Sequence, residues 1–201
     1  MTKPLGVILA GGKATRMGGG DKGLLPLKDD TLVGHVIARL RPQVDEIALN
    51  ANGDPQRFAH LSMAVLPDSI DGYPGPLAGV LAGLDWAAAK GASHIVTAAA
   101  DTPFFPETLV ADLEVAAKAS GLALAGTRDG DNGKIYRHPT FGLWPVVLRD
   151  NLRAALQDGL RKVVLWTDQH NAGLAEFPVT DTDPFFNVNT PEDLAVAEAL
   201  A

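Results

Sequence analysis

A short apolar segment that leads directly into a glycine-rich loop constrains the fold of this chain more than any other feature. Leu5–Ala10 is predicted to form a strand, and residues 11–23 then contain six glycines and the cations Lys13, Arg16 and Lys22. Glycine lets backbone N–H groups approach an anion closely and tolerates positive φ. The strand, the glycines and the spaced cations together predict a cradle for a polyphosphate.

This loop matches neither of the two common phosphate-binding signatures. A P-loop needs a hydroxyl residue after its Gly-Lys pair, but Ala14 follows Lys13. Residues 18–23 fit the dinucleotide pattern Gly-x-Gly-x-x-Gly, yet Pro26 follows where a helix should begin. The remaining alternative, a plain surface loop, is disfavoured because Arg and Lys are interleaved with the glycines.

Composition limits the partners of the chain. Its 201 residues are consistent with one domain, residues 1–201, and its net charge of −7 argues against binding to nucleic acid or an anionic membrane. The clustered cations of the loop therefore indicate a small anionic ligand. The absence of cysteine excludes disulfides and thiolate chemistry. Without an apolar stretch of membrane-spanning length or a signal peptide, we expect a cytoplasmic location.

Apolar strands alternate with helical patterns through the first two thirds of the chain. The helices are predicted over residues 32–40, 77–88 and 109–117. This alternation predicts a three-layer α/β/α fold with a mostly parallel sheet covered on both faces. The predicted strands are Leu5–Ala10, Glu46–Asn50, Met63–Leu66, His94–Ala99 and Leu122–Gly126.

The last third of the sequence is less regular. Tyr136–Trp144 is predicted to be a strand, and Pro139 within it favours an edge position or a bend. Thr190 followed by Pro191 and two acids predicts the start of a terminal helix. The other predicted elements are helices over Leu148–Leu156 and Leu160–Trp166 and a strand over Ala175–Val179.

Polar residues follow four consecutive predicted strands. In open α/β sheets, ligands bind beyond the carboxyl ends of the strands. The glycine-rich loop follows the first strand, Asn50 and Asn52 follow the second, Asp68 follows the third and Asp101 follows the fourth. Asp68 either accepts hydrogen bonds from a base or sugar or initiates a turn. We expect these groups to line one rim of the sheet.

Among these candidates, Asp101 has the most specific functional interpretation. A carboxylate at the end of an apolar strand is costly unless it is paired or binds a metal, and Mg²⁺ prefers carboxylate and phosphate oxygens. The alternative is a helix cap near Pro103 or Pro106. The polyphosphate cradle favours metal ligation.

Two further motifs have a packing interpretation beside a functional one. Gly75-Pro-Leu-Ala-Gly79 opens the second predicted helix, where small residues admit either a flat ring or tight helix–sheet packing. Asn187 and Asn189 point the same way if their segment is extended. These amides either bind a polar heterocycle or cap the terminal helix.

Four blocks of the sequence together resemble one enzyme family. They are Leu9-Ala-Gly-Gly with the downstream Arg16-Met-Gly-Gly and Asp21-Lys-Gly, then Gly75-Pro-Leu-Ala-Gly79, Asp101-Thr-Pro103 and Asn187-Val-Asn-Thr-Pro-Glu-Asp193. In order and spacing, over nearly the whole chain, they are similar to the molybdenum cofactor guanylyltransferases. The first block alone indicates the wider nucleotidyltransferase group.

The resemblance implies a Rossmann-like nucleotidyltransferase fold and a specific reaction. GMP is transferred from GTP to Mo-molybdopterin, which yields the guanine dinucleotide cofactor and pyrophosphate, with Mg²⁺ as the cofactor. It implies a GTP-binding part near residues 1–105 and a molybdopterin-binding part near residues 106–201. It also implies transient contact with a molybdenum-insertion protein and with recipient molybdoenzymes or their chaperones.

Residue by residue, the resemblance implies three overlapping groups of site residues. The GTP site comprises Leu9, Ala10, Gly11, Gly12, Lys22, Asn50, Asp68, Gly75, Gly79 and Asp101. The molybdopterin site comprises Arg161, Asn187 and Asn189. The catalytic residues are Arg16, Lys22 and Asp101, with Asp101 as the Mg²⁺ ligand.

The residues themselves leave two alternatives open, because guanine selectivity rests on the resemblance. The first is a related transferase with another base or acceptor, such as a molybdopterin cytidylyltransferase or a sugar-phosphate nucleotidyltransferase. The second is a nucleotide-binding module without catalytic activity.

Overall fold

A seven-stranded mixed sheet forms the centre of the protein in a computed structural model that describes residues 3–11, 21–70, 72, 75–129, 133–180 and 182–201. In chain order its strands are β1 (Leu5–Leu9), β4 (Ile47–Asn50), β5 (Ala64–Leu66), β6 (His94–Ala99), β7 (Ala123–Arg128), β8 (Ile135–Pro145) and β9 (Gly173–Phe177). A small hairpin of β2 (Pro26–Leu27) and β3 (Asp30–Thr31) lies outside the sheet. The helices are α1 (Leu32–Leu40), α2 (Pro76–Ala89), α3 (Leu109–Ala116), α4 (Arg149–Gln157), α5 (Val163–Gln169) and α6 (Pro191–Leu200).

The spatial order of the strands is β5-β4-β1-β6-β8-β7-β9. Strand β1 pairs in parallel with β4 and β6, and β4 pairs in parallel with β5. The carboxyl ends of these four strands therefore share one edge of the sheet, as the alternation of strands and helices predicts. The predicted three-layer α/β fold with a mostly parallel sheet is confirmed.

Side-chain alternation along the strands builds two apolar cores. On β1, Val7 packs with the apolar faces of α2, α4 and α5, whereas its neighbour Ile8 packs with α1 and α3 on the other face. Successive residues of a strand point to opposite faces, so a strand buried on both sides is continuously apolar. The sheet is therefore packed on both faces, which holds the residues at its carboxyl edge in fixed positions.

Strand β8 corrects one expectation. The sequence predicts an edge position or a bend at Pro139, but β8 lies inside the sheet, antiparallel to both β6 and β7. The edge position is therefore wrong and the bend is confirmed. Pairing with β7 passes from Gly142 opposite Leu124 to His138 opposite Ala125, which leaves residues 139–141 in a bulge. Proline is tolerated there because a bulged residue has no ladder hydrogen bond to lose.

The remaining predicted elements are present with shifted bounds. The predicted helix over Leu160–Trp166 is α5, which begins at Val163, and the predicted strand over Ala175–Val179 is β9, which ends at Phe177. No helix among the described residues combines the length and the apolar character needed to span a membrane.

Candidate active site

The end of β1 lies between the ends of its two neighbouring strands. Ala10 N donates to Asn50 O at 2.9 Å, and Ala100 N donates to Leu9 O at 3.1 Å. At Gly11 a Cβ would meet no atom of the described residues within 4 Å, so with respect to them this backbone is open at the carboxyl edge. Leu9, Ala10 and Gly11 therefore lie where the sequence predicts a nucleotide. Gly12 and Arg16 lie outside the described residues.

Lys22 is the centre of the polar cluster at this edge. Its ammonium Nζ lies 2.6 Å from Asp101 Oδ2, 2.5 Å from Asn189 Oδ1 and 3.4 Å from Asn187 Oδ1. The residue is 8% exposed. A buried ammonium is costly unless oxygen atoms surround it, and these three acceptors meet that requirement. The structure thus brings together four residues that the sequence assigned to two different subsites.

Asp101 does not cap a helix. The next helix, α3, begins at Leu109, eight residues later, and the carboxylate instead pairs with Lys22 and accepts from Thr102 Oγ1 at 3.3 Å. The capping alternative is therefore wrong. The backbone of Asp101 also accepts from Val188 N at 2.9 Å, which joins the end of β6 to the segment that carries the two asparagines.

Asn189 is positioned by the start of α6. Thr190 Oγ1 accepts from Asp193 N at 3.2 Å, while the Asp193 carboxylate accepts from Thr190 N at 2.9 Å and from Asn189 N at 2.8 Å. This reciprocal arrangement is a capping box. The hydrogen bond from Asn189 N is the main cause that lowers the pKa of Asp193. The helix start predicted at Thr190 is confirmed, and it fixes Asn189 beside Lys22.

A second polar cluster lies at the ends of β4 and β5. Asp68 Oδ1 accepts from Asn50 Nδ2 at 3.0 Å, and Oδ2 accepts from Asn52 Nδ2 at 2.8 Å. Asn52 Oδ1 in turn accepts from Asp68 N at 2.8 Å. Each carboxylate oxygen keeps a further lone pair, so this fixed carboxylate can still accept hydrogen bonds from a ligand. The reciprocal bonds of Asn52 could not be read from the sequence.

Gly79 in α2 shapes this second cluster, and Gly75 sets the start of the helix. A Cβ at Gly79 would overlap the amide of Asn50 and crowd the end of Leu9, so this position must remain glycine for Asn50 to keep its place. Gly75, which precedes the helix, has φ of +135°, a conformation that side chains rarely adopt. A Cβ at Gly75 would meet nothing within 4 Å in the part of the chain that the structure describes. The packing and the functional interpretations of these glycines are thus compatible.

The described contacts of Arg161 belong to its own segment. Its Nη1 donates to Leu160 O at 3.0 Å and to Leu156 O at 3.3 Å. These contacts do not join Arg161 to the Lys22 cluster, and its assignment to molybdopterin stays a prediction.

His138 packs against an aromatic ring, and the resemblance assigns no role to it. Its ring stacks on Phe185, with centroids 4.3 Å apart, and its Nε2 lies 3.0 Å from Thr127 Oγ1. Burial lowers the pKa of His138, although the Asp183 carboxylate acts in the opposite direction. This shift favours the neutral form of the imidazole.

The oxygen atoms around Lys22 suit a hard divalent cation. Among the described residues, no three His, Asp or Glu side chains gather into a metal-binding group. Mg²⁺, however, commonly uses one or two protein carboxylates and completes its shell with phosphate oxygens and water. Asp101 with the amide oxygens of Asn187 and Asn189 fits that preference. These three side chains could hold Mg²⁺.

Comparisons with known proteins agree with this geometry. The sequence profile of the MobA-like NTP transferase domain matches residues 6–172. A molybdenum cofactor guanylyltransferase from Bradyrhizobium sp. strain ORS 278 is 49% identical over 199 residues, which cover 98% of this chain and 92% of that protein. One from Nitrobacter hamburgensis is 47% identical over 199 residues, with 98% and 93% covered.

Solved structures share the fold at lower identity. Molybdopterin-guanine dinucleotide biosynthesis protein A from Archaeoglobus fulgidus superposes with a TM-score of 0.71 at 23% identity, covering 98% of this chain and 97% of that one. The matched domain profile and the named relatives, together with this fold, define a nucleotidyltransferase. Within that class, the chain belongs to the MobA-like NTP transferase family and, within it, to the molybdenum cofactor guanylyltransferases.

Proposed function

We propose that this chain transfers GMP from GTP to Mo-molybdopterin, forming molybdopterin guanine dinucleotide and releasing pyrophosphate. The observation that carries the proposal is the convergence of Lys22, Asp101 and Asn189 at the carboxyl edge of the sheet. A cation held between oxygen ligands at this edge is suited to bind and neutralise a triphosphate. Family membership supplies the identity of the two substrates.

We assign the GTP site to the ends of β1, β4, β5 and β6. Leu9, Ala10 and Gly11 offer an open backbone, the Asn50–Asp68 cluster offers acceptors for the base or sugar, and Lys22 offers charge for the phosphates. Guanine carries N–H donors on one edge, which a fixed carboxylate such as Asp68 can bind. Gly12, Gly75 and Gly79 complete the proposed GTP site, and Arg16 completes the proposed catalytic residues.

We assign molybdopterin to the C-terminal part, residues 106–201, with Asn187, Asn189 and Arg161 as its proposed contacts. Because Asn187 and Asn189 also touch Lys22, this part meets the GTP-binding part, residues 1–105, at the Lys22 ammonium. Both parts contribute strands to one sheet, so we propose that residues 1–201 act as one domain.

The reaction requires little proton transfer. An oxygen of the pterin's terminal phosphate attacks the α-phosphorus of GTP, and the bond from that phosphorus to the pyrophosphate oxygen breaks. An ionised phosphate needs no general base, so the protein contributes mainly positioning and charge stabilisation. Two unit charges about 4 Å apart interact by roughly 4 kcal/mol at an effective dielectric constant near 20, so repulsion between the substrates is substantial. Lys22 and Arg16 would offset it.

Asp101, Asn187 and Asn189 would hold Mg²⁺ in this site. When bound, the ion would supply further positive charge to the phosphates. For Lys22 to contact a phosphate, its ammonium would exchange at least one of its three oxygen partners for a phosphate oxygen. We further propose a cytoplasmic location and transient contacts with a molybdenum-insertion protein and with recipient molybdoenzymes or their chaperones.

Pyrophosphate release tests this function directly. The protein is incubated with Mo-molybdopterin, Mg²⁺ and each of the four nucleoside triphosphates in turn, and pyrophosphate is measured. We expect release with GTP that depends on the acceptor. Release with CTP instead would indicate a cytidylyltransferase, release with a sugar phosphate in place of the pterin would indicate a sugar-phosphate nucleotidyltransferase, and GTP binding without release under any acceptor would indicate a binding module.

A further inference from the structure

Arg57 reaches from the connection between β4 and β5 to the residue that precedes Lys22. Arg57 Nε lies 2.6 Å from Asp21 Oδ2, and Nη2 donates to Asn52 O at 2.5 Å. Nε is shielded from solvent, but its N–H is not aligned with the carboxylate for a hydrogen bond, so charge attraction holds the pair. The side chains are 30% and 22% exposed, which limits solvent screening of that attraction.

The local backbone is shaped to hold this guanidinium. Gly53 has φ of +87°, and a Cβ at that position would lie 2.8 Å from Arg57 Nη1. The guanidinium also lies over the ring of the buried Phe58, 4.8 Å from its centroid, and Nη1 donates to Asp54 O at 3.2 Å. Arg57 is therefore fixed on several sides before it meets Asp21.

The Asp21 carboxylate does not cap the turn that follows it. It occupies the N-cap of the 3₁₀ turn Lys22–Leu24, where a carboxylate usually accepts from a backbone N–H, yet its side chain makes no such bond. The carboxylate instead points to Arg57. Among the described residues, the Asp21 side chain therefore does not cap its own turn, and its contact is the ion pair with Arg57.

The Arg57–Asp21 contact fixes the backbone that carries Lys22. Asp21 is held on one side by Arg57, and on the other side Gly23 packs on Ala100, whose Cβ would lie 3.2 Å from a Cβ on that glycine. Lys22 lies between these two anchors and directs its ammonium to Asp101. The backbone of Lys22 is thereby held in place, which directs its long side chain towards Asp101.

We propose that Arg57 and Asp21 are a positioning pair for Lys22, acting on GTP through that residue and not by touching the nucleotide. This inference rests on the proposed contact between Lys22 and the GTP phosphates. Loss of either partner frees the backbone at Lys22, so the ammonium is no longer held in position and phosphate binding weakens. Misplacing a binding group by about 1 Å is enough to cost tenfold or more.

A double-mutant cycle on GTP affinity tests the pair. The dissociation constant of GTP with Mg²⁺ is measured by titration calorimetry for the wild type, Arg57→Ala, Asp21→Asn and Lys22→Ala, and for each of the first two changes combined with Lys22→Ala. Asp21→Asn keeps the shape of the side chain and leaves the bonds from Arg57 to Asn52 O and Asp54 O intact. Lys90→Ala, which breaks a 2.8 Å ion pair with Glu46 at the opposite end of the sheet, is the control for losing an ion pair.

We expect Arg57→Ala and Asp21→Asn each to raise the dissociation constant about tenfold alone and less than about twofold when Lys22 is already alanine, because residues that act as one unit are not additive. Lys90→Ala should leave it unchanged. Equal effects in both backgrounds, or no effect of either change, would overturn the positioning role alone. A wild-type protein that does not bind GTP, or a Lys22→Ala variant that binds it normally, would overturn this role together with the proposed phosphate contact.

Discussion

Lys22 Nζ lies 2.6 Å from Asp101 Oδ2, although 79 residues separate the two along the chain. The contact joins the residues after β1 to the end of β6, and it is shared with the asparagines that precede α6. Such a long-range cluster of charged and amide groups, at the edge where α/β proteins bind ligands, marks the place where substitutions should affect function before stability.

Asp101→Asn should lower turnover by about two to three orders of magnitude, the loss typical when a preorganised charge is removed from a transition state. The amide keeps the shape of the side chain and leaves Lys22 with neutral oxygen partners, so the fold should survive. Turnover is measured as pyrophosphate release, and folding by the circular dichroism melting curve. The exposed Asp112→Asn on α3 is the matched control. Near-normal turnover of Asp101→Asn would contradict the assigned role.

Gly79→Ala should weaken GTP binding by about tenfold, since its methyl group displaces the amide of Asn50 and so disturbs Asp68. Gly83→Ala in the same helix crowds Val7 and Ile95 in the core, where no site residue is touched. Overpacking costs about 1–3 kcal/mol, so both variants should melt earlier. Only Gly79→Ala should lose GTP affinity in a calorimetric titration. If the two variants bind GTP equally, the link from Gly79 through Asn50 is wrong.

Thr190→Ala should lower the free energy of unfolding by about 1 kcal/mol, the usual cost of removing an N-cap hydroxyl. Its Oγ1 accepts from Asp193 N at 3.2 Å. Thr190→Ser keeps that acceptor and should restore most of the loss. Urea unfolding of the three proteins measures the difference. A serine variant as unstable as the alanine variant would show that the hydroxyl is not what stabilises this helix.

The protein should lose stability as the pH falls below about 6.5, in part through His138. Burial lowers the pKa of this imidazole in the folded state, so below the unfolded pKa the unfolded chain binds a proton that the folded chain does not. Stability therefore decreases as the pH falls from the unfolded pKa to the folded pKa. His94, whose pKa burial also lowers, acts in the same direction.

His138→Gln isolates that contribution. At pH 8 the imidazole is neutral in both states, so the difference in urea midpoint between variant and wild type reflects packing on Phe185 and the Thr127 contact alone. We expect that difference to narrow on acidification to pH 5.5, because only the wild type carries this proton-linked loss. A constant difference across the range would show that His138 is not proton-linked to folding.

Local patterns predict much of this fold, and long-range contacts are what they miss. The strands at Leu5, His94 and Ala123 follow from continuous apolar runs, and α6 follows from the Thr190-Pro191 start. Pro139 predicts an edge position or a bend in β8 because proline removes a backbone donor, and a bulge that depends on register with β7 provides the bend. Register is a property of two strands and cannot be read from one.

The candidate site likewise has one part that local patterns predict and one part that depends on long-range contacts. Asn50, Asp68 and Asp101 could be placed at one edge because topology sends parallel strand ends to the same side. The convergence of Asn187 and Asn189 on Lys22, and the reach of Arg57 to Asp21, could not be predicted, since nothing in their spacing encodes a contact across the fold. Side-chain partners of this kind emerge only when the elements are packed together.

The bond from Val188 N to Asp101 O, with the asparagines on either side of Val188, makes the Lys22 ammonium depend on the C-terminal segment. The last strand of the described sheet ends at Phe177, whereas two of the three oxygen partners of Lys22 belong to residues 187 and 189. A chain shortened before residue 187 would therefore retain every strand of that sheet and lose both amide partners of the ammonium.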